Sequence, residues 1–197
     1  MDKEFLQSID DVNLRRRLVA RLRSDEVLML PSDTIYGLSC RADSRVAIKR
    51  VFAIKKRDKN KPLIILVSSI SMAKKYCFIN SKQIEVLKKI WTEKRPSSVL
   101  LKHRGLLPKE ISVSSPYLAV RLPKSDFLRK MIRALAMPLV STSANLSGQK
   151  VLDADSAWKK FKKEPRPSLI LFGGKNSKEA SKLLRLNYNG GQETLRK

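Results

Sequence analysis

Short, wholly apolar runs recur along this chain, and they limit the folds open to it more than any other feature. Residues 63–67 read Leu-Ile-Ile-Leu-Val. That run has the length and branching of a strand covered on both faces, which requires helices packed on a sheet. Residues 27–30 form a second run, stopped by Pro31. Between such runs lie segments with helical spacing. Over 5–22 the apolar residues Phe5, Ile9, Val12, Leu18 and Leu22 share one face, while Arg15, Arg16, Arg21 and Arg23 mark the opposite one. Ser44 is a good N-cap for a helix to Lys56 that buries Val46, Ala47, Val51, Phe52 and Ile54. Further helices are predicted over 81–90, 127–136 and 155–162, and strands over 99–101, 117–122, 138–140 and 168–172. Residues 178–184 read as a helix or a twisted strand. Strand and helix alternate without a repeat or a low-complexity linker, so the expected fold is α/β: one domain over 1–197, with helices packed on a twisted sheet.

Charge sets the kind of partner. Lys and Arg number 42 against 18 Asp and Glu, a formal net charge of +24. Nucleic acid, nucleotide phosphates, acidic proteins and anionic membrane surfaces are the candidates. Cys40 and Cys77 are too few for a disulfide framework or a zinc site of their own, and fit a reducing compartment. His103 is the single histidine, so multi-histidine metal sites are excluded. The start, Met1-Asp2-Lys3-Glu4-Phe5-Leu6, lacks a signal-peptide apolar core. No apolar run approaches the roughly 20 residues of a membrane span. A soluble, cytoplasmic protein with no membrane partner is expected.

Three constellations carry polar chemistry. Pro31-Ser32-Asp33-Thr34-Ile35-Tyr36-Gly37 follows a strand, at the place where α/β proteins bind ligands, although the same residues also suit a self-satisfied turn. The basic run Lys55-Lys56-Arg57-Asp58-Lys59-Asn60-Lys61-Pro62 suits a phosphate or a carboxylate, or a solvated basic face. Ser141-Thr142-Ser143-Ala144-Asn145-Leu146-Ser147-Gly148 offers hydroxyls, an amide and a glycine around a polar ligand, or an ordinary loop. Neither a P-loop nor a Gly-x-Ser-x-Gly nucleophile elbow is present.

Taken in order, these motifs resemble the YrdC-like threonylcarbamoyl-adenylate synthases. The resemblance rests on Pro31-Ser-Asp-Thr-Ile-Tyr-Gly-Leu38, Lys55-x-Arg57 with Pro62-Leu-Ile, Ala119-Val-Arg-Leu-Pro123, and Ser141-Thr-Ser-Ala-Asn145-x-Ser-Gly148, and runs from about Leu28 to Arg196. It implies a single-domain, twisted mixed sheet of the YrdC/RibB-like kind. It implies synthesis of threonylcarbamoyl-AMP and pyrophosphate from L-threonine, bicarbonate and ATP with Mg2+. The product would feed a tRNA threonylcarbamoyl transferase complex downstream. By the resemblance, Lys55, Arg57, Ser143 and Asn145 are the catalytic set, and Thr34, Arg121, Ser141 and Ser181 hold threonine. ATP falls to Lys55, Arg57, Lys61, Ser143, Asn145 and Arg196, with no protein side chain assigned to the metal. The chain departs from the family where Trp91 is not followed by the glycine turn, where Lys61 replaces a common Asn, at Leu66 in place of a His, and around Ser181. It resembles the single-domain members in ending at Lys197.

The physical chemistry is compatible. If a threonine carbamate itself attacks the α-phosphorus of ATP, the protein needs no nucleophile, only positioning and charge compensation. A rival reading is a non-catalytic RNA binder. Aromatic residues make up only 6% of the chain, and no stretch interleaves them with basic ones, so double-stranded RNA or tRNA is the form expected. A second rival docks the basic N-terminal helix on an acidic protein or an anionic membrane.

Overall fold

In the computed structural model, which describes residues 1–6, 8, 10–173 and 179–196, the apolar runs form strands inside one sheet. Strands β2 (Leu28–Leu30) and β8 (Leu169–Phe172) are buried throughout. Side chains alternate along a strand. Met29 and Ile170 therefore enter one core, while Leu28, Leu30, Leu169 and Leu171 enter a second core across the sheet.

In chain order the elements are β1 (Asp2–Phe5), α1 (Val12–Arg23), β2, β3 (Gly37–Arg41), α2 (Arg45–Lys55), β4 (Ile64–Leu66), α3 (Ile70–Tyr76) and α4 (Ser81–Thr92). Then follow β5 (Ser97–Lys102), α5 (Lys109–Ser112), β6 (Tyr117–Arg121), α6 (Asp126–Leu135), β7 (Leu139–Ser143), α7 (Ala154–Lys160), β8, β9 (Lys182–Leu186) and β10 (Gln192–Arg196). They form one mixed ten-stranded sheet in the order β1-β8-β2-β3-β7-β4-β6-β5-β9-β10. Parallel pairs such as β4–β6 and β5–β9 lie beside antiparallel ones such as β3–β7 and β5–β6. The expected α/β class and mixed twisted sheet are thus observed.

One sheet face is covered by α2, α4 and α7, through residues such as Val51, Phe52, Leu87, Trp91 and Ala157. The other face carries α1 and α6, which pack Leu14, Leu18, Phe127 and Met131 onto Leu66 and Leu139. These two helices cover only part of their face. The remainder of it, at the centre of the sheet, holds the cavity described below.

The N-terminal helix differs from its expected span. Asp2–Phe5 is a strand, parallel to β8, and Phe5 is exposed. The helix begins at Val12 because the Asp11 side chain accepts the Leu14 N–H, 2.8 Å away, and caps it. Ile9, assigned to that helix, lies outside the described residues. Ser44 caps α2 as expected, but Val46 is 60% exposed, because it lies in the first turn on the side away from the sheet. Residues 141–143 continue β7 rather than forming a loop, paired with β3 and so supplied with backbone partners. Of the ambiguous 178–184 segment, Lys178 is outside the described residues and the later part is strand β9. Among the described residues no helix is long and apolar enough to cross a membrane.

Candidate active site

A cavity of about 340 Å3 opens on the half-covered sheet face. Its floor is a lateral row set by register: Ser141 of β7 faces Ile64 of β4, Ile64 faces Ala119 of β6, and Ala119 faces Leu100 of β5. Polar groups enter from the loop after β2, the turn after α2, and the ends of β6, β7 and β10. The size is that of a small-molecule site, and the pattern of apolar floor with a few converging polar groups is typical of one.

At one end stands Arg121, the last residue of β6 and only 7% exposed. Its Nη1 donates to Thr34 Oγ1 at 2.9 Å and its Nη2 to Asp33 Oδ1 at 2.5 Å. The second Asp33 oxygen accepts the Lys124 N–H at 3.0 Å. The Ser32-Asp33-Thr34 loop holds itself in shape: Ser32 Oγ accepts the Thr34 N–H and donates to the Ile35 carbonyl. A buried guanidinium is thereby fixed from two sides, while its Nε, also buried, meets no protein acceptor. Such a donor fits a bound carboxylate.

At the other end are two cations with no carboxylate paired to them among the described residues. Lys55 ends α2, and the next residue, Lys56, takes a left-handed conformation (φ 47°) that stops the helix and turns the chain toward Arg57. Lys55 is 1% exposed. Its Nζ donates to the carbonyl and hydroxyl of Ser143 and to the carbonyl and Oδ1 of Asn145, the last at 2.7 Å. Burial, with repulsion from Arg57 adding to it, pushes the Lys55 ammonium down to about 8. Arg57 lines the cavity, and its Nε and Nη2 donate to the carbonyls of Lys61 and Pro62 at 3.3 and 2.9 Å. Burial lowers this guanidinium too. Ser143 Oγ donates to Asn145 Oδ1 at 2.7 Å, which closes the Lys55–Ser143–Asn145 network.

Gly37 makes room for the Ser141 hydroxyl beside this network. It sits opposite Ser143 in the β3–β7 ladder, and a Cβ there would stand 2.6 Å from Ser141 Oγ. Of the residues singled out in the sequence, Thr34, Arg57, Arg121, Ser141, Ser143, Ser181 and Arg196 line one cavity. Lys55 and Asn145 are buried behind Ser143. Lys61 does not join them: its side chain is exposed, and only its backbone carbonyl serves, on Arg57. Ser181 hydroxyl pairs with Ser98 at 2.9 Å, and Arg196 donates to the Ser181 carbonyl at 2.8 Å. The clamp of Asp33 on Arg121 was legible only as an acceptor in a polar loop. The apolar lining by Leu100 and Leu183 carries no local sequence signal.

Fold and cavity together define an α/β protein that gathers Arg57, Arg121 and Arg196 in one cavity on the partly covered face of its sheet. The Sua5/YciO/YrdC family model, described as "Telomere recombination", matches residues 20–197, and the chain belongs to that family. It is 30% identical to the threonylcarbamoyl-AMP synthase of Bos taurus over 163 residues, which are 81% of this chain and 56% of that protein. A threonylcarbamoyl-AMP synthase of Psychromonas ingrahamii is 30% identical over 154 residues, 76% of this chain and 80% of that one. The chain thus spans little more than half the length of the mammalian relatives it matches. Among solved structures, P. abyssi Sua5 complexed with L-threonine shares the fold at a TM-score of 0.85, with 24% identity, over 99% of this chain and 56% of that one. E. coli YciO does so at 0.83, with 19% identity, over 100% and 94%.

Proposed function

We propose that this chain makes threonylcarbamoyl-AMP and pyrophosphate from L-threonine, bicarbonate and ATP. The observation that carries the reading is that Arg121, with an unsatisfied buried donor, and Arg57, beside the buried cation Lys55, open into the same cavity. One end suits an amino-acid carboxylate and the other a triphosphate. The synthase names of the relatives support the same assignment.

In this reading Arg121, held by Asp33 and Thr34, takes the threonine carboxylate, with Ser141 and Ser181 as neighbouring hydroxyls. The threonine ammonium loses a proton, and the resulting amine condenses with bicarbonate, releasing water, to give a carbamate. A carbamate oxygen then bonds to the α-phosphorus of ATP as the bond to the β-phosphate oxygen breaks, and pyrophosphate leaves. Arg57 compensates charge on the phosphates directly. Lys55 acts from behind Ser143 and Asn145, fixing their oxygens and adding a buried positive charge. Fixed donors and cations of this kind lower the barrier by electrostatic preorganisation, without a protein nucleophile.

Among the described residues no three His, Cys, Asp or Glu side chains gather as a metal cage, and Asp33 is already engaged. Magnesium therefore belongs in this proposal to the nucleotide, entering as the MgATP substrate. The product is a mixed anhydride, so a transferase that passes the threonylcarbamoyl group to tRNA follows it, in the cytoplasm. Pyrophosphate release, measured with threonine and bicarbonate omitted in turn, tests the reading. Release that needs both supports it; release without either, or none from folded protein, overturns it.

A further inference from the structure

Two serine hydroxyls meet at the edge of the cavity floor, and only one of them reaches the cavity. On β5, Val99 points into the core and Leu100 into the cavity, so alternation places Ser98 on the cavity side of the sheet. The β5–β9 ladder pairs Ser98 with Leu183, a lining residue. Continued by one residue, the β5–β6 register that pairs Val99 with Val120 sets Ser98 beside Arg121. Ser181, just before β9, lines the cavity, whereas Ser98 is fully buried behind it.

The Ser98 and Ser181 hydroxyls lie 2.9 Å apart, and among the described residues neither has another protein partner. One hydrogen bond between two hydroxyls leaves one proton over. If Ser181 donated, the spare proton would be that of Ser98, sealed at 0% exposure without an acceptor. A buried donor left unpaired costs more than a made hydrogen bond contributes. If Ser98 donates, the spare proton belongs to Ser181 and faces the cavity, where a ligand or water can accept it. The second arrangement is the stable one. It gives Ser181 a fixed role as donor, and a fixed donor suits an anionic oxygen. The backbone around it is held as well. Arg196 Nη2 donates to the Ser181 carbonyl at 2.8 Å, and the Lys182 N–H donates to the Pro96 carbonyl at 3.0 Å, fastening the start of β9 to the start of β5.

We infer that Ser98 is a positioning residue: its buried hydroxyl donates to Ser181 and so aims the Ser181 proton at the carboxylate of the amino acid that Arg121 holds. The inference rests on the threonine reading above. Nothing around Ser98 in the sequence signals this role, because its partner stands 83 residues away and the two meet only where β5 pairs with β9.

The experiment is a double-mutant cycle, read by calorimetric titration of L-threonine and by steady-state pyrophosphate release. Losing a fixed hydrogen bond to a charged group costs roughly tenfold in affinity. Ser181→Ala is expected to raise the Kd and KM for threonine by about that factor, and Ser98→Ala by about fivefold, with kcat and the KM for ATP moving less than about twofold. Ser98→Ala/Ser181→Ala should bind threonine no more weakly than Ser181→Ala, since Ser98 acts only through its neighbour. If Ser98→Ala does not fold, Ser98→Cys takes its place in the cycle, its thiol being a weak donor of similar shape. Losses that multiply in the double variant, or a fall in kcat with threonine affinity unmoved, overturn the inference. A parent that binds no threonine overturns the synthase reading and the inference together. A parent that binds it, with Ser98→Ala binding equally well, overturns the inference alone.

Discussion

Lys55 is a cation held by oxygen dipoles without a counter-charge, and this makes anion binding at the cavity depend on pH in a calculable way. Four oxygens of Ser143 and Asn145 surround its ammonium, and burial brings it from 10.5 to about 8. An anion seated against Ser143 and Arg57 supplies the missing charge and draws the amine back up. Binding then takes up a proton whenever Lys55 is neutral, so affinity falls as pH climbs through 8. With that value, roughly one-tenth of the free protein is deprotonated at pH 7 and roughly nine-tenths at pH 9, and linkage gives about a tenfold rise in Kd between them. The nucleotide does not confuse the window, because a terminal phosphate completes its ionisation near pH 6. Arg57, although lowered by burial, stays charged throughout. Calorimetric titration with Mg2+ and a non-hydrolysable ATP analogue at pH 7, 8 and 9, at constant ionic strength, measures the effect. Lys55→Met should bind more weakly at pH 7 and show a flat profile. A wild-type Kd constant within twofold from pH 7 to 9, or the same slope in Lys55→Met, would refute the coupling.

Three other perturbations follow from the same geometry. Arg57→Ala should lower pyrophosphate release by about 100-fold or more, the scale for losing one preorganised charge-stabilising group, while the thermal melt followed by circular dichroism stays put; full activity would remove Arg57 from the site. Asp33→Asn leaves the Arg121 cation, 7% exposed, without its counter-charge, and should cost about 3 kcal/mol of stability in urea unfolding. A loss below about 1 kcal/mol would mean that Thr34 and solvent hold Arg121 unaided. Gly37→Ala should push Ser141 Oγ, 2.6 Å from the new Cβ, out of the cavity and raise the KM for threonine several-fold. Overpacking costs of about 1–3 kcal/mol are the ceiling on stability here, because a serine hydroxyl can swing aside; an unchanged KM would show that Ser141 does not touch the substrate.

Some of this was present in the residues themselves, because local chemistry dictates it. A strand with no polar side chain, such as Ile64–Leu66, belongs in the interior of a sheet, and it is central there, although Ile64 floors the cavity rather than lying under a helix. Ser44 caps α2 because its short side chain reaches the Ala47 N–H wherever the helix is placed. The ordered motifs singled out Thr34, Lys55, Arg57, Arg121, Ser143 and Asn145 through the family resemblance, and the structure gathers them at one cavity. Lys61 stands apart from the cavity lining because a charge run does not say which of its members turns inward. Arg57 is pinned by the carbonyls of that run and Lys61 faces solvent.

Other features depend on register between strands distant in sequence, and no local signal encodes that. Phe5 joins a strand rather than α1 because β8, more than 160 residues on, offers it a parallel edge. Arg121 meets Asp33 and Thr34 only because β6 and the loop after β2 converge on one side of the sheet. The same register sets Leu100, Ala119 and Leu183 in the cavity floor, with Ser98 beside them. Residue types were thus enough to give the class of fold, and the ordered motifs to give candidate side chains that the structure gathers. Which side chains face one another was left to the tertiary structure, because sheet pairing brings together groups whose separation along the chain carries no physical interaction of its own.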